Sequence, residues 1–329
     1  LAGVMGLSTF LPLAATLAAE KSAANAQLPI LMAHGDADAV IPIGRVKPHT
    51  DFRGPTESGL MKMIAIGLGK QYGADYFHAQ GMHEFGWLIP LVANFSLTKI
   101  NIPFGIAVIE NGYGILSDIE AVPAQGMWER EKELLVIARQ RLGKLPGERI
   151  DVLIVDKIGK DISGDGADPN VINRDVTGAI VAAGENPLPT IQRIIFRDLT
   201  DDTEGNATGI GMGDFVLAQA MAKFDPVRTY MNTLTAKAPQ GARIPITAEN
   251  DRQALFLALA SCLKTTPETS RIARILDTKH VEHLWASEAL VPEMLASGRV
   301  EQVGDFEPIT FDPAGMFTVS VAEPAAVGD

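Results

Sequence analysis

Three side chains able to move protons, bind metal or form a covalent bond frame one short stretch of this chain. His49 follows a proline in "VKPHTDF", Lys62 interrupts the apolar run "GLMKMIAIG", and His78 ends "GADYFH". A neutral imidazole takes up and returns a proton near pH 7. A lysine amine serves as covalent anchor or nucleophile, and an imidazole also suits a transition metal. Arg53 presents a planar fork that fits a carboxylate. Plainer readings stand beside these. His49 fits a turn hydrogen-bonded to backbone, Lys62 could snorkel to solvent, and His78 could be a satisfied core histidine. His280 and His283, three apart, have a spacing that can chelate metal, but no third ligand is near in sequence.

The elements that position these groups follow from the patterning. "PTESGLMKMIAIGLGKQYG" reads as a helix closed by Gly69 and Gly73. Further helices are expected at 84–98 and 130–142, the latter a solvated face laced with i,i+4 charge pairs, and at 213–223, 251–264 and 285–296. "FGIAVIEN" (104–111) reads as a strand. "IDVLIVDKIG" (150–159) and "TIQRIIFRDL" (190–199) are near-continuous apolar strands, as in a parallel sheet covered on both faces. Ahead of them lie two more apolar strands (3–8, 29–33) around an Ala-rich helix (13–26). The fold class is therefore α/β, with mostly parallel sheets and flanking helices. In such sheets chemistry gathers at the carboxyl ends of strands, which points to Asp156, Lys157 and the 160–170 and 204–213 loops. "GIGMG" (209–213) precedes an expected helix whose N-terminus could hold a phosphate or carboxylate; its spacing is not that of a dinucleotide loop. Asp165 and Asp168 lack the ligand ladder of a calcium loop and read as a polar turn.

Composition narrows the class. The chain has 329 residues, room for two domains. Its net charge of −12 repels phosphate backbones, and no basic patch offsets it, so nucleic acid is not an expected partner. The single cysteine, Cys262, reads as a small core hydrophobe and permits no internal disulfide, which fits the cytoplasm. Residues 1–19 are uncharged but carry Ser8, Thr9 and Pro12 and no basic region, so neither a membrane span nor a signal peptide is expected.

Two resemblances account for most of the motifs. "LAGVMGLSTFLPL" with "PILMAHGDADAVIPI" resembles late strands of the carboxylesterase/acyl-protein thioesterase family of α/β-hydrolases. That resemblance implies a fragment over 1–43, with Asp38 as its triad aspartate. No G-x-S-x-G nucleophile elbow occurs in the sequence, so the segment reads as a hydrolase remnant. From Gly44 onward, "GRVKPHTDFRGPTESGLMKM", "VDKIGKDISGDGADPN" and "GNATGIG" resemble the lactate-racemase-like family of nickel-dependent 2-hydroxyacid racemases and epimerases. This second resemblance implies a lactate-racemase-like domain over 44–329 that lacks the family's N-terminal domain, in a fused or recombined product.

What the racemase-like resemblance implies is specific. Pro48-His49 matches the family's Pro-His motif, which makes His49 an acid/base residue. Ser58, Gly59 and Lys62 match Ser-Gly-x-x-Lys, which makes Lys62 the tether of a nickel-pincer nucleotide. His78, sixteen residues after Lys62, stands where the nickel ligand is expected. The stretch between His49 and Lys62 is about three residues longer than in the characterised enzymes. Inversion at the 2-carbon needs an acid/base group on each face, and the family's second one lies in the absent domain. The expected activity is racemisation of a small 2-hydroxy acid, with little or no turnover by this chain alone. The alternatives are a carboxylesterase-type serine hydrolase fragment and a catalytically inactive carboxylate-binding module.

Overall fold

The computed structural model of the chain describes residues 39–179 and 189–321. The strands and helix expected before residue 34, and Asp38, lie outside them. Within them the chain forms two compact units, one of residues 39–111 with 115–142 and one of 112–114 with 143–321. A sequence boundary was expected at 43/44; strand β1 (Ile43–Arg45) runs across that point.

The first unit is a three-stranded sheet with helices. β1 lies parallel to β2 (Phe104–Glu110), and β2 pairs antiparallel with β3 (Leu116–Pro123). β3, with its alternation of exposed and half-buried residues, is an element the sequence reading lacks. On β2, Gly105, Ala107 and Ile109 face the core, as strand alternation requires. Helix α1 (Leu60–Lys62) opens after Gly59 and runs on as a π-helical turn, Met63–Gly67, where the Leu68 N–H reaches the Met63 carbonyl. Lys70, in the left-handed region at φ 49°, separates this from helix α2 (Lys70–Gln80). The single helix closed by Gly73 is thus corrected to two, and Gly73 lies inside the second. Gly69 directly precedes α2. Helix α3 (Phe85–Leu97) and helix α4 (Met127–Arg141) complete the unit. α4 is only partly the solvated face expected: Glu131, Leu134, Leu135 and Ala138 are buried, because the helix packs one face on the sheet and on α1.

The second unit is a six-stranded sheet in the order β7-β6-β5-β4-β8-β9. Its strands are β4 (Arg149–Ile158), β5 (Thr190–Leu199), β6 (Phe215–Leu217), β7 (Ile246–Ala248), β8 (Ile272–Ile275) and β9 (Leu284–Ala286). All neighbours are parallel except β8 and β9. β4 is buried on both faces, as its apolar run requires: Leu153 and Val155 enter one cluster, Val152 and Ile154 another. Helices α5 (Pro169–Ile172), α6 (Ala218–Lys223), α7 (Pro226–Thr235), α8 (Asp251–Ser261) and α9 (Val291–Ala296) flank the sheet. The helix expected at 213–223 is corrected to β6 followed by α6. No helix therefore starts at "GIGMG", which forms a 3-10 turn at Ile210–Met212, and the anion site expected there has no helix to build it. The helix expected at 285–296 is likewise shortened to α9, behind β9. α7 is an element the sequence reading lacks.

Candidate functional site

His49 and Lys62, thirteen residues apart in sequence, meet in the first unit. Lys62 Nζ lies 2.7 Å from His49 Nε2. The loop carrying His49 is built around Glu57, whose side chain is fully buried. Its carboxylate accepts the His49 N–H at 2.7 Å and the Gly54 N–H at 3.3 Å, and Arg139 of α4 donates to it at 2.6 Å. Arg53 Nη1 donates to the His49 carbonyl at 2.5 Å and to the Phe52 carbonyl at 2.9 Å. The fork read as a carboxylate clamp thus fastens the His49 loop. Lys47 and Ser58 exchange backbone hydrogen bonds of 3.1 and 3.2 Å, joining the loop's two ends beside β1 and α1.

The pair can hold its protons in two ways. The Asp51 backbone N–H donates to His49 Nδ1 at 3.0 Å. When Nδ1 is bare to accept it, the neutral ring carries its proton on Nε2. In that tautomer Nε2 donates to an uncharged Lys62 amine; with the ring proton on Nδ1, a Lys62 ammonium donates to Nε2. Burial first, then the nearby cations led by Lys62, hold the His49 imidazole well below its usual 6.5. Burial lowers Lys62 to about 8, with Lys47 pushing the same way and Asp51 opposing. A buried amine near the top of the physiological range, against a neutral imidazole, can act as base or nucleophile.

His78, on α2, joins this site through rings. Its imidazole centroid is 5.3 Å from that of Phe85, Phe85 is 5.3 Å from Phe52, and Phe52 is 4.4 Å from His49. His78 also contributes to lowering His49. Among the described residues no group of three or more His, Cys, Asp or Glu gathers to hold a metal ion. His280 is held by Asp277, with Nδ1 2.8 Å from the carboxylate. Asp168 caps α5 by accepting the Asn170 N–H at 2.8 Å, in keeping with a polar turn. Asp156 and Lys157, at the carboxyl end of β4, are engaged in ion pairs with Arg274 and Arg197 and with Asp198. Cys262 is half-buried, and its thiol donates to the Asp151 carbonyl at 3.4 Å.

Sequence reasoning missed Asp51, Glu57 and Arg139. Asp51 and Glu57 lie within the motif, where the signal was a loop with more carboxylates than turns need. Arg139 carries no signal, because only the tertiary fold brings α4 to the loop.

Comparison with known proteins matches a phospholipase/carboxylesterase family model to residues 1–52. The match extends through His49 and covers 52 of 329 residues, so it speaks for that segment. No curated protein and no solved structure matches the chain. None of these comparisons supports the racemase-like resemblance. No helix among the described residues is long and apolar enough to cross a membrane.

Proposed function

We propose that the Lys62–His49 pair belongs to an enzyme site for a small 2-hydroxy acid, where hydrogen is removed from the 2-carbon and returned. The observation that carries this reading is the 2.7 Å contact between a buried amine and a neutral imidazole. His49 stays neutral near pH 7, and with the ring proton on Nδ1 its Nε2 has the lone pair that takes a hydroxyl proton. The aromatic pair Phe52 and Phe85 keeps water from the imidazole's flank, and Glu57 fixes the backbone that aims it.

The residues fit the cofactor that the racemase-like resemblance implies. An uncharged amine at Lys62 is what a covalent tether requires, and the His78 imidazole is a ligand type that nickel accepts. Ser58 and Gly59, at the start of α1, would flank a nickel-pincer nucleotide held there. Such a group, when bound, supplies the electron sink that a poorly acidic carbon–hydrogen bond needs. Lys62, if it held such a group, would leave His49 Nε2 to face the substrate hydroxyl.

The test is the mass of the Lys62 peptide after co-production with enzymes that make the pincer cofactor. An adduct on Lys62, absent from Lys62→Arg, is the expected result. Unmodified Lys62 beside a modified full-length relative would overturn the tether. A carboxylesterase-type activity is the second reading, favoured by the family-model match over 1–52. It predicts hydrolysis of a small aryl ester. Loss of that hydrolysis in Asp38→Asn would place the chemistry in the hydrolase segment instead.

A further inference from the structure

Glu131 is a buried carboxylate that the site as described does not use. It projects from α4 against the first turn of α1, the helix that carries Lys62. The residue is wholly buried. Its Oε2 accepts the Met61 N–H at 2.9 Å, and the Leu60 N–H also bonds to the carboxylate. Its Oε1 has no hydrogen-bond partner among the described residues. A buried orphan oxygen costs stability, so the carboxylate is a poor choice for a purely structural contact in that place.

The sequence around it is shaped to admit the carboxylate. Gly59, just before α1, offers no side-chain cap for the helix's first N–H groups. Glu131 supplies that cap from seventy residues away. A Cβ on Gly59 would stand 2.7 Å from the Glu131 carboxyl carbon and from Oε1, inside any tolerable contact. Gly59 is therefore the residue that lets Glu131 reach the backbone. Met61, whose N–H it holds, directly precedes Lys62.

We propose that Glu131 is the positioning residue of the Lys62 amine: it pins the first turn of α1 so that Nζ meets His49 Nε2. The proposal rests on reading Lys62 as a buried amine of lowered basicity against His49, and on no substrate or cofactor. Glu57 does the matching work for His49, holding its N–H at 2.7 Å. His49 is thus held by a buried carboxylate on its own N–H, and Lys62 by one on the N–H of its neighbour Met61.

The experiment reads the pH midpoint of Lys62 acetylation in the full chain, by peptide mass after a short pulse of a neutral acylating reagent. Wild type is expected to titrate near 8. In Glu131→Leu, which removes the acceptor, the midpoint should rise by about one unit or more toward the ordinary 10.5, as the amine leaves its buried place beside the imidazole. Gly59→Ala, which displaces the carboxylate while leaving it in the chain, should shift the midpoint the same way. A folded Glu131→Leu whose Lys62 still titrates near 8 would overturn the proposal and leave the amine reading intact. Where the Leu variant does not fold, Glu131→Asp, which withdraws the carboxylate by one methylene, decides on the same readout. A wild-type midpoint at 10.5 would overturn the amine reading and this proposal with it.

Discussion

Two buried sites, one in each unit, treat charge in opposite ways. In the second unit, Asp156 on β4 receives Arg274 of β8 through two bonds of 2.8 and 2.9 Å and Arg197 of β5 at 3.0 Å. Arg197 in turn grips Asp251 of α8 by two bonds of 2.6 Å. Both guanidinium groups lie over the Phe317 ring, at 5.4 and 4.5 Å. Every charge there has an opposite charge in fork geometry, which secures it and makes it chemically inert. In the first unit, the Lys62 amine is buried against an imidazole, and Glu131 against two backbone N–H groups. Neither has a carboxylate–cation bond to hold its charge. Burial then dominates, and the two titrate at about 8 and about 7. Pairing turns buried charge into structure, and withholding the pair leaves groups poised to exchange protons.

The largest effect expected from this contrast is in the second unit. Arg274→Met leaves Asp156 with Arg197 alone and removes the Val319 carbonyl's partner, which Arg274 supplies at 2.7 Å. Breaking one partner of a buried pair costs about 3–5 kcal/mol. The denaturant midpoint of the second unit's unfolding should fall accordingly. An unchanged midpoint would mean that these charges are not the fastening they resemble.

Lys62→Met tests the other half. A lysine lowered from 10.5 to about 8 is bound less tightly by protons in the folded state than in the unfolded one. Between those values the unfolded chain holds the extra proton, so stability rises with pH across the window. Below pH 8 the folded state carries the full cost of the buried ammonium, about 3 kcal/mol at most. The Met variant should be more stable than wild type below pH 8, with the gain vanishing as pH approaches 10.5. Thermal unfolding against pH checks it. A loss of stability in the variant at pH 7 would show that the amine is held by a partner stronger than His49.

The parallel strands β4 and β5 were legible because full burial leaves an unbroken apolar run, and few other elements produce one. β3 was not, since "LSDIEAVP" is largely exposed and its apolar and polar residues do not alternate in sequence. At the site, the types and the motif around His49 and Lys62 were legible. What was hidden is the second layer: Glu57 and Glu131 look like surface acids in sequence, and both are wholly buried. A carboxylate's burial depends on which backbone N–H groups the fold brings to it, and Glu131 meets its own across seventy positions. The division of the chain after residue 142 was also hidden, because the short "RLGKLPGER" connection resembles any helix-to-strand loop.

The smallest effect concerns the glycines of the Lys62 segment, which do different work despite similar spacing. Gly59 must stay bare because a Cβ would strike Glu131, and Gly69 because its Cβ would come within 2.9 Å of the Gly73 Cα. At Gly73 an added Cβ meets only the Ile66 carbonyl, at an ordinary 3.6 Å, in the interior of α2. A glycine there loses backbone entropy on folding and fills no space, so Gly73→Ala should stabilise the first unit by about 0.5–1 kcal/mol. Its Lys62 acetylation midpoint should stay at the wild-type value, since α2 begins beyond the turn that positions the amine. A shift in that midpoint, measured beside the Gly59→Ala variant, would mean that Lys62 is placed by the whole 60–80 segment. The same midpoint unmoved would confine its placement to the contact between α1 and α4.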